Sequence, residues 1–388
     1  MRVGFRVDGS KKIGLGHTYR SISLAKEFKK NKIKSIFLTT NFFDNYDDII
    51  RKNGFIINKI NKKPVTETYF RKKLIEIDAK KVVNIIKKNK LDIIFLDNNF
   101  LNVKWEKIVS KYCKIVLIND QLNRKTLCDF LISYHLSNKP HKFRKYLLNK
   151  ECKILSDSQY TIIKKSTVNR SNILKNKKIL IYMGGADKNN IAVQLKKIFE
   201  KKVFKNFMFS ILLSNKPQMR LLKKYPLNRN FKIIDNKRQS LYGISKSFNL
   251  IILGFGTSVY ELSNFGKKML IIIQNKISNN IYNNIKEFNL FNFCKSIKKI
   301  DLNMLKKSLF ESKIKINERI QIYDGYGSSR IVQYFKKDFY KIKLEEAKLN
   351  DKYFLFNLMN DPTLRKSSVK DNFAKYSNFI KWLKKIIE

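Results

Sequence analysis

The chain has 388 residues, and 43% of them are hydrophobic, so it is long enough to bury the cores of two or three domains. Its formal net charge of +51 would attract polyanions. The basic residues are nevertheless mostly Lys, are spread over almost every segment, and accompany no helix-turn-helix, zinc-finger or RNA-binding aromatic pattern, so we expect no specific nucleic-acid partner.

Simple patterns disfavour several other classes of protein and of site. No apolar run approaches the ~18 residues that a membrane span needs, and the first residues begin a strand rather than a signal peptide, which predicts a cytoplasmic protein with no membrane partner. The cysteines at 113, 128, 152 and 294 lie in or beside apolar stretches and favour buried free thiols over disulfides. With three histidines in the chain, we expect no metal site. The sequence leaves the oligomeric state open.

Strand-like segments alternate with helical periodicity from the first residues onward. The first series predicts strands at 2–7, 35–39, 93–97, 114–119 and 130–134, and helices at 18–30, 44–52, 70–88 and 104–111. A polar, basic stretch at 164–177 follows without periodicity. The second series predicts strands at 178–183, 208–213, 231–234, 250–253 and 269–273.

This alternation predicts an α/β protein with two Rossmann-like, doubly wound parallel sheets. We expect an N-terminal domain at 1–163, a linker at 164–177, a nucleotide-binding domain at 178–338 and a separate segment at 339–388. Two such domains face one another across a cleft, and their ligands bind at the carboxyl ends of the strands.

A glycine turn with a histidine follows the first predicted strand. Gly14 and Gly16 offer a backbone cradle of the size of a phosphate, and His17 stands at or just before the first turn of the next helix. The positive end of that helix favours a neutral imidazole, which can act as a base. The alternative is an ordinary glycine-rich turn followed by a histidine that caps the helix.

Two more glycine turns follow strands of the second series. The first contains Gly184, Gly185, Asp187 and Asn190, and the backbone N–H groups of this turn and of the helix after it are predicted to donate to a diphosphate. The second contains Gly256, Thr257, Ser258 and Glu261, and a carboxylate at Glu261 suits two neighbouring sugar hydroxyls. The alternative for both is an ordinary strand-to-helix connection with a capping side chain.

Other polar residues lie at predicted strand ends. Asn275 and Asn279 follow the strand at 269–273 and can supply amide contacts, although they can equally be plain surface residues in this Asn-rich chain. Asp8, Asp97 and Asp120 end or follow strands of the first series. They are predicted to orient His17 or to bind sugar amides, and the alternative is that they cap loops.

Taken together, residues 1 to about 337 resemble the nucleotide-sugar hydrolases of pseudaminic acid biosynthesis. The resemblance is carried by FRVDGSKKIGLGHTYR at 5–20, IYMGGADKNN at 181–190, GFGTSVYEL at 254–262 and DGYGSSR at 324–330. It implies a fold similar to the two-domain, glycosyltransferase-B-like enzymes and removal of UDP from UDP-2,4-diacetamido-2,4,6-trideoxy-β-L-altropyranose, for surface glycans such as those of flagellin. The family's base falls on His17 and its helix glutamate on Glu261. UDP-sugar and water would be the reactants, with no cofactor.

Three parts of the family pattern differ in this chain, and one of them is a glycine that is replaced within Ser156-Asp157-Ser158. An arginine thought to touch substrate falls on Lys164, and an expected Asn-Gln pair appears as Asn275-Lys276. A sister enzyme that acts on another diacetamido sugar nucleotide would satisfy the same motifs. A UDP-sugar-dependent glycosyltransferase of the same fold and a non-enzymatic basic protein that binds polyanions are the alternative functions.

The last segment resembles part of a GNAT-type N-acetyltransferase. Residues 342–347, 358–365 and 381–383 are similar to the opening strand and two helices of that fold. About fifty residues cannot hold the family's central strands or its acetyl-CoA pyrophosphate loop, so we expect no acetyltransferase activity.

Overall fold

The computed structural model describes residues 1–10, 13–119, 122–136, 139–165, 177–184, 187, 189–213, 229–235, 241–340, 346–360 and 374–387. Two compact units are present, Met1–Tyr334 and Phe335–Glu388. The first unit contains two parallel sheets, and the second contains helices in its described part.

The first sheet has seven described strands that are all parallel. They are β1 (Arg2–Val7), β2 (Lys34–Thr39), β3 (Ile56–Lys59), β4 (Ile93–Asp97), β5 (Lys114–Ile118), β6 (Phe130–Ser133) and β7 (Lys153–Ser156), in the order β3-β2-β1-β4-β5-β6-β7. The helices of this part are α1 (Gly16–Lys30), α2 (Asp47–Lys52), α3 (Glu67–Lys73), α4 (Ile75–Asn89), α5 (Val103–Val109) and α6 (His141–Arg144). The strand order reverses between β1 and β4, which is where doubly wound sheets bind ligands.

The second sheet has six described strands, again parallel. They are β8 (Lys178–Tyr182), β9 (Met208–Leu213), β10 (Phe231–Asp235), β11 (Leu250–Gly254), β12 (Met269–Ile272) and β13 (Asn292–Cys294), in the order β10-β9-β8-β11-β12-β13. The helices are α7 (Ile191–Phe199), α8 (Leu241–Ser245), α9 (Thr257–Asn264), α10 (Lys276–Ile285), α11 (Leu302–Leu309), α12 (Lys313–Ile322) and α13 (Gly327–Tyr340). This order reverses between β8 and β11.

Aromatic packing fixes the centre of the first sheet. The ring of Phe5 on β1 is stacked between Phe37 on β2 and Phe95 on β4, with centroid distances of 5.2 Å to each. Phe28 of α1 closes the cluster edge-on, 6.2 Å from Phe5. Because both faces of a central parallel strand are covered, β1 is buried along nearly its whole length. This core holds the first glycine turn above the carboxyl end of β1.

The DGYGSSR patch packs against the chain that joins the two sheets. A β-carbon on Gly327 would lie 2.2 Å from the carbonyl oxygen of Thr161, and one on Gly325, which has a φ of +79°, would lie 2.6 Å from Cα of Lys165. A side chain at either position would collide with backbone, so glycine is needed for this close approach. Backbone packing alone therefore explains why this patch has glycine at 325 and 327, without a ligand.

Helix α13 returns to the first sheet after the second sheet is complete. Nη1 of Arg330 donates to the carbonyl oxygen of Gln159 at 2.9 Å, and the ring of Tyr334 lies edge-on to Phe130 of β6 with a centroid distance of 6.2 Å. These contacts join α13, which the sequence predicts in the second domain, to residues of the chain that forms the first sheet. The predicted domain limits stay predictions.

The predicted fold class is confirmed, since both series of strands form parallel, doubly wound sheets. Three short strands were not predicted, and each lies at the edge of its sheet: β3, β7 and β13. The single helix predicted at 70–88 is wrong, because the chain bends at Leu74 between α3 and α4. Edge strands of three or four residues carry too few apolar positions to produce a clear alternation.

The second unit contains two further helices, α14 (Lys352–Met359) and α15 (Tyr376–Ile387). They pack on one another through Phe356 and Phe379, whose ring centroids lie 5.4 Å apart, while Phe354 and Trp382 stay exposed. Most of the strand predicted at 342–347 lies outside the described residues. The resemblance to acetyltransferases therefore stays a prediction.

Two further expectations concern the cysteines and the membrane. All four cysteines are free, three of them buried and Cys113 partly buried, as predicted. Among the described residues, no helix combines the length and the apolar character that crossing a bilayer requires.

Candidate active site

The ends of β1 and β4 bring His17 and Asp97 together. Asp97 is the last residue of β4 and is paired with Val7, the last residue of β1, so it lies directly beside the turn that leads into α1. His17 is the second residue of α1. Its Nδ1 atom lies 2.6 Å from Oδ1 of Asp97, and its side chain is 19% exposed. The structure thus joins two predicted residues that are separated by 80 positions in the sequence.

The charge of Asp97 determines which nitrogen of His17 carries a proton. Burial alone would raise the pKa of Asp97, but the neighbouring Arg20 and His17 outweigh it and lower that pKa to about 2. Asp97 is therefore a carboxylate at neutral pH and can only accept, so Nδ1 of His17 must donate. In the neutral ring this leaves Nε2 as the acceptor, and the side-chain amide Nδ2 of Asn99 lies 3.3 Å from it. The arrangement suits a general base.

Arg20 is bonded to the same carboxylate from the next turn of α1. Its Nε donates to Oδ2 of Asp97 at 2.5 Å, and its Nη2 donates to Oδ1. Nη2 also lies 3.0 Å from Nδ1 of His17, and the two nitrogens converge as donors on the one oxygen. The third nitrogen, Nη1, donates to the hydroxyl of Tyr134 at 2.6 Å. The two-pronged pairing fixes the direction of the carboxylate and, through it, of the imidazole.

Asp8 belongs to a buried network beneath the turn. Its carboxylate accepts from the backbone N–H of Thr40 at 2.6 Å, from the amide of Asn98 at 2.6 Å and from Arg6, whose Nη1 lies 2.9 Å away. Arg6 is in turn paired with Asp78, and burial raises the pKa of Asp78. These protein donors occupy both oxygens of Asp8, and its assignment to substrate stays a prediction.

The glycine turn before α9 lies close to the glycine turn that carries His17. A β-carbon built on Gly16 would lie 3.7 Å from Oγ1 of Thr257, the first residue of α9. Helix α9 follows Gly256, which offers no capping side chain, and a β-carbon on Gly256 would meet no described atom within 4 Å. The first N–H groups of this helix, at Thr257 and Ser258, therefore point toward an open, electropositive end.

Glu261 and Lys164 lie close together next to this helix end. Burial raises the pKa of Glu261 to about 7, and the positive charge of Lys164 acts in the opposite direction. Tyr19, which follows the glycine turn on α1, lies near Glu261. Burial and, to a lesser extent, the negative charge of Glu261 raise the pKa of the Tyr19 hydroxyl. Glu261 is thus poised between its acid and carboxylate forms near neutral pH.

The turn that follows β8 in the second sheet is arranged differently from the turn before α9. The carboxylate of Asp187 accepts from the N–H groups of Ile191 at 2.8 Å and Ala192 at 3.0 Å, so it caps α7 itself. Gly184 has a φ of +82° and Asn190 a φ of +51°, which make the turn tight. Gly185 lies outside the described residues. The carboxylate of Asp187 thus accepts from two of the α7 N–H groups that were predicted to donate to a diphosphate.

The remaining predicted residues have other positions. Asn275 caps α10 by accepting from the N–H of Ser278 at 2.9 Å, and Asn279 is exposed on the first turn of that helix. Gly14 has a φ of +92° and donates its N–H to the carbonyl of Ser10 at 2.8 Å, which closes the first turn. Asp120 lies outside the described residues. The substrate-binding roles of these residues stay predictions.

Sequence reasoning missed three residues that contact the His17–Asp97 pair or its partners. Arg20 is three positions after His17 on the same helix face, a spacing that could have identified it. Asn99 follows Asp97 by two positions beyond the strand end. Tyr134 directly follows β6, and only the sheet order brings it near Arg20.

Comparison with known proteins gives distant relatives. No protein-family model matches the chain. The uncharacterized protein MJ1062 of Methanocaldococcus jannaschii is 25% identical over 350 residues, which is 86% of this chain, and the chain spans 66% of that protein's length. The UDP-2,4-diacetamido-2,4,6-trideoxy-beta-L-altropyranose hydrolase of Campylobacter jejuni is 24% identical over 257 residues, which is 65% of this chain and 84% of the hydrolase.

Solved structures agree with the architecture. The glycosyltransferase SnogD from Streptomyces nogalater is similar with a TM-score of 0.59 at 10% identity, over 86% of this chain and 99% of that one. The UDP-GlcNAc 2-epimerase from Neisseria meningitidis is similar with a TM-score of 0.54 at 14% identity, over 87% and 100%. The chain therefore has the two-sheet architecture of the glycosyltransferase-B-like proteins.

Proposed function

We propose that the chain is a nucleotide-sugar hydrolase that releases UDP from UDP-2,4-diacetamido-2,4,6-trideoxy-β-L-altropyranose by attack of water on the anomeric carbon. The observation that carries the proposal is the His17–Asp97 pair, in which Nε2 of a partly exposed imidazole is left as a proton acceptor beside the glycine turn. The similarity to the Campylobacter hydrolase supports the class of substrate.

The base is His17. Nε2 accepts a proton from water as the water oxygen bonds to the anomeric carbon and the bond from that carbon to the diphosphate oxygen breaks. Asp97 stabilises the imidazolium that results, because it stays ionised and accepts from Nδ1–H. A positioned general base of this kind contributes about 10²–10⁴-fold to the rate. The amide of Asn99 donates to Nε2 in this structure, so the attacking water has to take the place of that amide on Nε2.

The leaving group is a diphosphate, and its charge grows as the bond breaks. We assign the diphosphate to the start of α9, where Thr257 and Ser258 present N–H groups that no capping side chain occupies. The exposed Lys164 adds a positive charge in the neighbourhood of Glu261. UDP departs as a stabilised anion, so the mechanism needs no strong general acid.

The nucleoside is assigned to Glu261. Its carboxylate lies one turn into α9, beyond the proposed diphosphate site, which is a suitable position for accepting hydrogen bonds from the two ribose hydroxyls. Burial raises the cost of keeping this carboxylate charged when nothing is bound. Hydroxyl donors from a ribose would offset that cost.

The test is hydrolysis of the UDP-sugar by the purified chain in water enriched in ¹⁸O. We expect free UDP and free sugar, with the label at the anomeric oxygen of the sugar and none in UDP, because water attacks carbon rather than phosphorus. UDP release only after an acceptor alcohol is added would indicate a glycosyltransferase instead. Binding of the UDP-sugar without any turnover would contradict the proposal. A sister diacetamido sugar nucleotide, assayed in parallel, tests the identity of the sugar through its kcat/KM.

A further inference from the structure

We propose that Tyr134 and Arg20 are positioning residues that couple helix α9 to the His17 imidazole across the two sheets. The inference rests on the proposed function for the meaning of a correctly placed His17, and its central test reads the imidazole directly. It follows from a continuous series of buried contacts that starts beside Glu261 and ends at His17.

The series begins on α9. Tyr260 directly precedes Glu261 in the chain and is 2% exposed. Its ring packs edge-on against that of Tyr134, which follows β6 of the first sheet, with a centroid distance of 6.0 Å and an interplanar angle of 87°. The hydroxyl of Tyr260 also shares a short hydrogen bond with Nδ1 of His135. Tyr134 and His135, two consecutive residues just after β6, therefore both contact one residue of α9.

The series continues from the hydroxyl of Tyr134. That oxygen accepts from Nη1 of Arg20 at 2.6 Å, and the other two nitrogens of the guanidinium donate to the two oxygens of Asp97. All three guanidinium nitrogens are thus engaged, two of them by Asp97 and the third by Tyr134. Because Asp97 holds Nδ1–H of His17, the direction of the guanidinium fixes the direction of the ring.

Burial makes this series rigid. Tyr134 is fully buried, Asp97 is 1% exposed and Arg20 is 7% exposed, so none of them has space to turn independently of its neighbours. A displacement of α9 relative to the first sheet therefore has to be accommodated by the Tyr260–Tyr134 contact and, through Arg20, by Asp97. A change at the nucleotide end would alter the geometry of the base by this route.

The first experiment uses Tyr134→Phe, which keeps the ring and removes the hydroxyl. Long-range ¹H–¹⁵N spectra of the full chain report the tautomer of His17, assigned with His17→Ala. We expect both proteins to show Nδ1–H, because Asp97 is kept, and the variant to show displaced Nδ1 and Nε2 shifts, because the carboxylate and the ring are no longer held in the same direction. With substrate, kcat should fall about ten- to a hundredfold while KM stays within about twofold, as for a misplaced catalytic group. The exposed Tyr112→Phe is the control and should change neither readout.

The second experiment tests the coupling to α9. Titration with UDP should shift the His17 ¹⁵N signals of the wild type. In Tyr260→Leu, which keeps Glu261 but removes the aromatic contact, UDP should still bind and the shift should fall by more than half. Unchanged His17 signals in Tyr134→Phe, or a full UDP-induced shift in Tyr260→Leu, would overturn the inference. If Tyr134→Phe does not fold, Arg20→Lys is measured in its place with the same expected result. A wild type that releases no UDP contradicts the proposed function alone, since the tautomer spectra need no turnover.

Discussion

Gly16 and Thr257 begin helices that follow strands of different sheets, yet a β-carbon on Gly16 would lie only 3.7 Å from the hydroxyl oxygen of Thr257. The turn that carries His17 and the open end of α9 therefore lie next to each other. A base and a site for an anionic leaving group are needed on the same substrate, at its anomeric carbon and its diphosphate. This proximity is what makes a shared reaction centre physically reasonable.

The first prediction concerns the base. His17→Gln should fold like the wild type and lower kcat by about 10²–10⁴-fold, because it removes general-base catalysis from a partly exposed side chain. The measurement is UDP release under saturating substrate, with circular dichroism as the check on folding. His141→Gln, at an exposed position, is the matched control. Near-wild-type turnover of His17→Gln would leave His17 as a helix-terminal residue only.

The second prediction concerns the ribose. Glu261→Gln should weaken UDP binding by about 1–3 kcal/mol, since hydrogen bonds to a charged acceptor are lost. Because burial raises the pKa of Glu261 to about 7, against the effect of Lys164, the acceptor carboxylate forms as pH rises through 7. Wild-type affinity should therefore increase between pH 6 and pH 8 more than that of the variant. Calorimetry at the two pH values measures both effects, and equal affinities of the two proteins would place Glu261 away from the nucleotide.

The third prediction concerns the charge of Asp97. Burial is outweighed by Arg20 and His17, so the pKa of Asp97 is lowered from 3.8 to about 2. A depressed carboxyl pKa stabilises the fold above pH 4, and that contribution is lost as pH falls through 2. Asp97→Asn should lower the free energy of unfolding at pH 7 by about 2–4 kcal/mol, because it also leaves Arg20 buried without its anion. Urea unfolding measures this, and a loss below 0.5 kcal/mol, roughly the range of ordinary surface substitutions, would contradict it.

The fourth prediction concerns the DGYGSSR patch. Gly327→Ala should destabilise the protein by about 1–3 kcal/mol, because its new carbon would collide with the backbone of Thr161. Gly256→Ala is the control: its φ of −174° is open to any residue and no described atom lies within 4 Å, so stability should change by less than about 0.5 kcal/mol. Thermal unfolding of the two variants side by side gives the comparison. Equal melting temperatures would mean that the linker moves aside at little cost.

The fifth prediction separates the last segment from the chemistry. Removal of residues 341–388 keeps α13 whole and should leave UDP-sugar hydrolysis within about twofold of the full chain, because every described contact proposed for the reaction lies within Met1–Tyr334. Exposed apolar side chains such as Phe354 and Trp382 should also make the full chain more prone to self-association than the shortened one. Turnover and light scattering test the two parts. A large loss of hydrolysis on shortening would assign the segment to the active site.

The sequence predicted the elements well where periodicity was strong. Strand β1 and strand β4 have the predicted bounds, and His17 stands in the first turn of its helix as expected. The pairing of His17 with Asp97 could be narrowed only to three candidate aspartates, because strand order decides which strand ends are neighbours and the sequence does not specify that order.

Other parts of the site could not be read from residue types. Asp187 and Glu261 are both acidic residues near glycine turns, but one caps its own helix and the other is left beside Lys164. Asp187 becomes a cap because the N–H groups of Ile191 and Ala192 point toward it, and the residue type alone does not predict that direction. Tyr134 belongs to no recognisable sequence motif, and only tertiary packing brings it into contact with Arg20.

The return of α13 to the first sheet has a consequence for biosynthesis. The ring of Tyr334 packs on Phe130, and Arg330 donates a hydrogen bond to the carbonyl of Gln159. During synthesis these contacts cannot form until the ribosome has added residues about 170 positions after Gln159. Domains otherwise fold in the order in which they emerge. A nascent chain stalled before residue 327 would hold a first sheet whose β6 face is uncovered at Phe130, and only release of α13 completes it. Translation speed through the second sheet thus sets how long that apolar surface stays open to chaperones.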